Sequence, residues 1–301
     1  MVKKRWVVFL AVAVILLLAV APLMAGQSKG ITVKDSKGNV FTFKSYPKRI
    51  VSLAPSNTEI LFALGLDKYI VGVTNFCDYP AAAKKKAKVG DAFNVNVEKI
   101  VSLKPDLVVA QDSISPDAIK KLQNLKIKVF VLKEPKNFND ILNNIKLVGR
   151  ATGKYSKAVS ITNNMQARLN KLTAKLKKYN KKPSVLVEVD YAYGLYVAGP
   201  NTFINDLLVK AGGKNVITSG SWVNLSDEKL LTLNPDYILL ADTAYLKPDQ
   251  HPYKRELWQA LRAVKEKKVI DSIDPNLIVR PGPRTIDGIE KLAKALHPGL
   301  K

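Results

Sequence analysis

EKIVSLKPDLVVAQD, residues Glu98–Asp112, decides the organisation of this chain because it occurs a second time. Residues Glu228–Asp242 read EKLLTLNPDYILLAD, at a constant offset of 130 residues. Six positions are identical in the two copies: Glu, Lys, Leu, Pro, Asp and the final Asp. Most other positions change within apolar or small-polar classes. Two copies are too few for a solenoid. The repeat therefore predicts two lobes built on one plan.

Each copy has the pattern of a short helix followed by a buried strand. Pro105 cannot continue a helix, and it pushes Lys104 toward extended geometry. The apolar run from Leu107 to Ala110 does not alternate with polar residues, as is typical of a strand covered on both faces of a parallel sheet. The sequence therefore predicts an α/β fold in each lobe.

Asp112 and Asp242 each follow one of the two predicted strands. In open α/β sheets ligands bind outside the carboxyl ends of strands, so two such edges facing each other would enclose a binding cleft. Turn formation explains both aspartates without any ligand. The sequence leaves these two interpretations open.

The charge of the chain is strongly positive, at +23 from 48 Lys+Arg and 25 Asp+Glu. Such a charge is compatible with binding to a nucleic acid or to an anionic surface. It is also compatible with solubility at high temperature. The lysines are spread through amphipathic helices, and no basic strand is interleaved with aromatic residues. We therefore predict a solvated, lysine-rich surface and no nucleic-acid partner.

Cysteine and histidine are scarce. Cys77 is the single cysteine, and His251 and His297 are the two histidines. No internal disulfide can form, and a His/Cys metal site is hard to build. We expect no metal, no cofactor and a monomeric chain.

Residues 1–25 have the pattern of an export signal. Lys3, Lys4 and Arg5 precede a long apolar run, and Ala25 is a small residue before a possible cleavage point. The run is close to the lower limit for spanning a bilayer, so an uncleaved anchor is the alternative. No cysteine lies nearby, which excludes a lipid-modified cysteine. We expect the rest of the chain to lie outside the cytoplasm, in the periplasm or on the outer face of the membrane.

The predicted domains are an N-terminal lobe at 31–152, a connecting helix at 153–182 and a C-terminal lobe at 183–301. Within the connector, Met165, Leu169, Leu172 and Leu176 recur at helical spacing between Lys154 and Tyr179 without Gly or Pro. A helix of about 26 residues would run about 40 Å. We interpret it as a rod that joins the lobes; an ordinary surface helix of one lobe is the alternative.

Aromatic residues fall in loops after the predicted strands, where ligands of α/β lobes bind. Rings there suit a large, partly apolar ligand, although packing against the lobe explains each ring equally well. Cys77 as a nucleophile, or an unrecognised carboxylate pair, would instead make the chain an exported cleft enzyme. The rings are Phe76, Tyr79, Phe93, Tyr193, Tyr196 and Trp222.

Three motifs together resemble a known family. RIVSLAPSNTEILFALG (Arg49–Gly65), VGVTNFCDYP (Val71–Pro80) and EKIVSLKPDLVVA look like the vitamin B12- and iron-siderophore-binding proteins of ABC importers, over residues 49–301. The resemblance implies two Rossmann-like lobes joined by one long helix, the class III periplasmic binding protein fold. It also implies capture of cobalamin without chemistry, and delivery to a permease and its ATPase. Proteins that bind siderophores or haem share this fold, so a ferric siderophore or haem is the alternative ligand.

The resemblance also implies roles for individual residues. Phe76 and Trp222 match rings that face the corrinoid, and Asp274 matches an acidic residue of the last binding loop. Ala92 and Gln111 stand where cobalamin binders carry tryptophans, and Phe93 is the expected substitute for the first. The expected ligand-binding residues are Phe76, Tyr79, Phe93, Tyr193, Trp222 and Asp274.

Docking on the permease is expected through one carboxylate on each lobe. Glu59 matches the family's first-lobe glutamate, at the start of a helix predicted over Thr58–Leu64 with Ser56 or Asn57 as its cap. A carboxylate there is also favoured by the helix dipole alone. The second-lobe glutamate is replaced by Val209, so we expect Asp206, one turn earlier, to act instead.

Overall fold

A computed structural model describes residues 31–243 and 246–300. The predicted export signal at 1–25 lies outside the described residues. Within those two ranges, every helix is too short or too polar to cross a bilayer.

The first part of the chain forms a hairpin and a five-stranded parallel sheet with helices around it. The sheet has the strand order β5-β4-β3-β6-β7, and the hairpin pairs β1 with β2. The elements are β1 (Ile31–Lys34), β2 (Val40–Phe43), β3 (Ile50–Ser52), α1 (Pro55–Ala63), β4 (Ile70–Val73), β5 (Ala87–Lys88), α2 (Val97–Ser102), β6 (Leu107–Gln111), α3 (Pro116–Asn124), β7 (Val129–Leu132) and α4 (Phe138–Ala151).

The rest of the described chain holds a long helix and a second sheet. In that sheet β8, β12 and β13 are parallel neighbours, β10 pairs with β8, and β9 and β11 form an antiparallel edge. The elements are α5 (Tyr155–Leu176), β8 (Ser184–Asp190), β9 (Tyr196–Ala198), α6 (Phe203–Lys210), β10 (Lys214–Asn215), β11 (Trp222–Asn224), α7 (Asp227–Leu233), β12 (Tyr237–Leu240), α8 (Arg262–Lys265), β13 (Val269–Ile270), α9 (Asn276–Val279) and α10 (Thr285–Leu296).

The two copies of the repeat occupy equivalent places in the two sheets. In the first copy α2 leads into β6, which lies between β3 and β7, and in the second α7 leads into β12, which lies between β8 and β13. Both strands are buried and parallel to their neighbours, as their unbroken apolar runs predict. The predicted α/β fold of two lobes joined by one long helix is confirmed.

Helix α5 is the connection between the lobes. It has 22 residues, about 33 Å at 1.5 Å per residue, and is shorter at both ends than the predicted helix from Lys154 to Tyr179. It packs against α4 of the first lobe and α10 of the second. Its buried side chains, Met165, Leu169 and Leu172, belong to one apolar core with side chains from both sheets. The connector is therefore fixed to both lobes by burial along its length.

Helix α1 begins at Pro55, three residues earlier than predicted. Proline is well suited to the first turn, because its missing N–H is not needed there. Neither Ser56 nor Asn57 caps the helix; both lie inside its first turn and are buried. The Thr58 hydroxyl donates to the Ala54 carbonyl at 3.2 Å. The earlier start brings Ser56 to the carboxyl end of the sheet.

Candidate functional site

The carboxyl ends of the two central strands meet across a cavity of about 300 Å³ between the lobes. Gln111 ends β6 and Ala241 follows β12, and the two occupy the same position in the repeat. Both line the cavity, so the repeat places equivalent residues on either side of one cleft. The lining residues are Pro55, Ser56, Phe76, Gln111, Ala241, Pro275, Asn276, Val279, Arg280 and Pro281.

The chemistry of this cleft is apolar with neutral hydrogen-bonding groups. The Gln111 amide donates to the Ser56 hydroxyl at 2.9 Å, which fixes both side chains at the floor. Phe76 is about half exposed, so its ring is available to a ligand. Apolar walls with a few oriented polar groups are the usual lining of small-molecule sites. The predicted ligand role of Phe76 therefore agrees with its position.

Arg280 is the charged side chain in the lining, and it crosses from the second lobe to the first. Its guanidinium donates to Asp78 Oδ1 at 2.5 Å and to the Phe76 carbonyl at 3.3 Å. Burial alone would raise the pKa of Asp78, but the hydrogen bond and charge of Arg280 lower it. Arg280 is therefore held by the first lobe and is not a free cation for an anionic ligand.

Arg284 makes a second bridge between the lobes, to Glu59. Arg284 Nε donates to Glu59 Oε2 at 2.8 Å and Nη2 to Oε1 at 2.6 Å, and Arg280 lies 3.5 Å from the same carboxylate. Burial alone would lower the pKa of Arg284, and its bond to Glu59 raises it. The carboxylate of Glu59 is 2% exposed. These contacts tie helix α1 to the start of α10.

Docking on a permease requires an exposed carboxylate, whereas Glu59 is buried in this conformation. Its side chain points to the second lobe because two arginines, which no local sequence pattern connects to it, neutralise it there. Docking through Glu59 stays a prediction, and it requires Arg284 to release the carboxylate first.

Asp206 is also engaged between the lobes. Its Oδ2 accepts the Phe138 backbone N–H at 2.7 Å, at the first turn of α4, and its Oδ1 lies 3.0 Å from Lys210. A carboxylate at a helix N-terminus satisfies an otherwise free N–H and interacts favourably with the helix dipole. Its predicted docking role stays a prediction, and in this structure Asp206 contacts the first lobe.

Tyr79 and Asp274 border a second cavity, of about 470 Å³, beside the Glu59–Arg284 bridge. The Arg284 guanidinium lies 3.6 Å from the centre of the Tyr79 ring, and Asp274 lies 3.6 Å from Arg284 Nη1. Cation–π contact and charge hold these three side chains together across the lobes. Tyr79 and Asp274 thus share a neighbourhood with Phe76, although they do not line the same cavity.

The other three predicted ligand residues lie outside the lining of both cavities. Phe93 is at the tip of a turn after β5, where Asp91 Oδ1 accepts its N–H at 2.9 Å. Tyr193 lies in the turn between β8 and β9, and Trp222 begins the edge strand β11. All three rings are exposed, and none belongs to the lining of the two cavities above. Their predicted contact with a ligand stays a prediction.

Asp112 and Asp242, which follow the two repeat strands, have different surroundings. Asp112 Oδ1 accepts the backbone N–H of Glu134 at 2.8 Å, which is a loop-forming role. Asp242 is buried next to Glu188, whose carboxylate binds the guanidinium of Arg255 with two bonds of 2.6 Å. Burial raises the pKa of Glu188 to about 7 despite Arg255, and the charge of Asp242 adds to the rise. Burial also raises the pKa of Asp242, so both carboxyl groups hold their protons more tightly than exposed ones do.

Cys77 is a packed thiol. It is 1% exposed, and its sulfur lies 3.1 Å from the Thr58 hydroxyl and 3.0 Å from that of Thr74. A nucleophile needs access to its substrate, which this burial denies. Cys77 is therefore not a nucleophile in this structure, and it belongs to the core under α1.

Sequence reasoning missed the two residues that connect the lobes, Arg280 and Arg284. The available signal was a pair of arginines four residues apart in a Pro/Gly-rich loop. Their partners Glu59 and Asp78 lie more than 200 residues earlier. A single sequence contains no periodicity that reports such a pairing.

The sequence matches the profile of a protein family described as "Periplasmic binding protein" over residues 50–275, about three quarters of the chain. The chain is 39% identical to an uncharacterised ABC transporter substrate-binding lipoprotein, YvrC, of Bacillus subtilis, with 98% of each chain covered.

Two other similar proteins are named for different ligands. A cobalamin-binding protein of Halobacterium salinarum is 28% identical over 89% of this chain and 74% of its own length. The crystal structure of a periplasmic heme-binding protein from Pseudomonas aeruginosa superposes with a TM-score of 0.75 and 28% identity, covering 85% of this chain and 94% of that one.

Proposed function

Because the chain belongs to the periplasmic binding protein family, whose members are extracytoplasmic solute-binding proteins of ABC transporters and not enzymes, we propose that it captures cobalamin in the cleft between its lobes. The permease and ATPase of an ABC importer are its partners, and the cobalamin is cargo that leaves unchanged.

The observation that carries the proposal is the neutral, partly apolar lining of the cleft. Ser56, Gln111 and Asn276 offer a hydroxyl and amides beside the Phe76 ring. Arg280, the cation of the lining, is already neutralised by Asp78 and Glu59. A corrinoid presents an apolar macrocycle edge with neutral amide side chains, which match these groups without leaving a buried charge unpaired.

Haem is the second candidate, and one residue favours it. Haem iron requires an axial ligand from the protein, and tyrosine is one of the side chains that supply it. The phenol of Tyr79 is half exposed beside the cleft, with Arg284 on its ring. Against haem, two carboxylates on the macrocycle would seek free cations, and Arg280 and Arg284 are both engaged with Glu59.

Equilibrium dialysis of the purified chain against cobalamin and against haemin separates the two candidates. We expect cobalamin to be retained at one per chain with its absorbance unchanged, and Phe76→Ala to weaken the retention. The site would be assigned to haem if haemin is retained and cobalamin is not. In that case haemin binding should give a Soret shift that Tyr79→Phe abolishes.

A further inference from the structure

The connector has a charge that its role as a rod does not require. Residues 153–182 contain nine Lys and Arg and no Asp or Glu, so these 30 residues carry nine of the +23 charges. Lysines three and four residues apart on a helix repel each other and destabilise it. The second lobe, 183–301, contains 15 basic and 14 acidic residues and is nearly neutral. Residues 1–152 contain 24 basic and 11 acidic residues, so the connector stands out by its density of positive charge, nine in 30 residues with no acidic residue among them.

The C-terminal end of the connector joins other lysines around a concave surface. A cavity of about 550 Å³ is lined there by Lys178, Lys181 and Lys268, together with Tyr179 and Tyr237. Its one lining carboxylate, Asp236, is engaged by Arg262 at 2.8 Å and by Ser184 at 2.8 Å. Of the three lysines, Lys268 is paired with Glu266 at 2.5 Å. Lys177 and Lys182 are exposed next to it. We call Lys177, Lys178, Lys181, Lys182 and Lys268 the lysine face.

The lysine face lies at the opposite end of the second sheet from the cleft. Tyr237 begins β12 and Lys268 directly precedes β13, so both mark the amino ends of parallel strands, whereas Ala241 lines the cleft at the carboxyl end of β12. Cargo must leave the cleft toward the permease, so the cleft faces the membrane and the lysine face points away from it. This orientation rests on the proposed function.

We propose that the lysine face binds a linear, phosphate-bearing polymer of the cell envelope. Clustered lysines attract phosphate oxygens and release the counterions of a polyanion, an affinity that grows with the number of phosphates contacted. The concave floor fits a chain better than a flat bilayer does, and its tyrosines offer hydroxyl donors to phosphate oxygens. A polymer bound there holds the protein near the membrane with the cleft still facing the permease.

The test uses the purified full chain and end-labelled inorganic polyphosphate, with binding followed by fluorescence anisotropy at increasing NaCl. The lysine-face variant is Lys177→Gln, Lys178→Gln, Lys181→Gln and Lys182→Gln. A matched control removes the same charge from exposed lysines of the first lobe, through Lys37→Gln, Lys120→Gln, Lys121→Gln and Lys126→Gln.

We expect the wild type to bind with a steep salt dependence and the lysine-face variant to bind at least about tenfold more weakly with a shallower slope. The control variant should change the affinity less than about twofold. Equal losses of affinity in both variants would mean that binding depends on net charge alone and not on the lysine face. No binding by the wild type at low salt would mean that there is no site. Either result overturns the proposal.

Two further measurements separate this proposal from other outcomes. Preferential binding to phosphatidylglycerol vesicles, lost in the lysine-face variant, would make a bilayer the partner and overturn the polymer. Cobalamin retention, measured in parallel, should be unchanged in both variants. If cobalamin is not retained but polyphosphate binding depends on the lysine face, the proposed function fails while the polymer site stands.

Discussion

Removing Arg284 tests whether the bridge to Glu59 holds the two lobes together. Arg284→Met keeps an unbranched side chain of similar length, but it removes both hydrogen bonds of 2.6 and 2.8 Å and leaves Glu59 with Arg280 at 3.5 Å. A buried carboxylate that loses its partner costs several kcal/mol, and we expect the free energy of unfolding to fall by about 3 kcal/mol. Urea titration of the full chain measures this change.

Arg168→Met is the matched control for that experiment. Arg168 bonds Asp287 and Glu290 at 2.6 Å, but its side chain is 35% exposed, compared with 16% for Arg284. Solvent-exposed ion pairs contribute less than about 1 kcal/mol, so this variant should lose correspondingly little stability. A loss in Arg284→Met no greater than in Arg168→Met would refute the argument that burial makes the Glu59 bridge strong.

A double variant tests the same reasoning from the other side. Glu59→Leu with Arg284→Met replaces the pair by apolar side chains, which is often close to neutral for a buried pair. We expect the double variant to be more stable than the sum of its single effects predicts. Simple additivity would show that the two residues do not interact.

Three further outcomes are expected from the site and the connector. Phe76→Ala and Trp222→Ala should each weaken cobalamin binding about fivefold without unfolding a lobe, since a packed ring contributes about 1 kcal/mol; unchanged affinity removes that ring from the site. Because the pKa of Glu188 is raised to about 7 in the folded chain, the folded state binds the extra proton, and stability should fall as the pH rises from 4.5 through 7 by on the order of 3 kcal/mol. Glu188→Gln stays neutral and lacks this dependence, so the urea midpoint of the wild type should fall relative to that of the variant as the pH rises; parallel curves would contradict the assignment. In small-angle scattering, the radius of gyration with and without ligand should differ by less than about 1 Å, because helix α5 is packed against both lobes. A larger compaction would mean that the connector is a hinge.

Local patterns in the sequence predicted the plan of the molecule. The echo of Glu98–Asp112 at Glu228–Asp242 predicted two equivalent lobes, and the unbroken apolar runs predicted the central parallel strands β6 and β12. These features are local: a run of buried residues or a proline after a helix acts through neighbours within a few positions. The spacing of apolar residues in the connector likewise predicted α5, with an error of one residue at its N-terminal end and three at its C-terminal end.

Which of the predicted side chains meet depends on the packing of the two lobes. Glu59 has the sequence context of an exposed first-turn carboxylate, yet it is buried because Arg284, 225 residues later, is brought to it by the packing of the lobes. Gln111 and Ala241 face one cleft because the carboxyl ends of the two sheets face each other, not because of anything next to them in the chain. Such contacts depend on how whole elements pack, and charge pairing at that separation leaves no periodic signal in a single sequence.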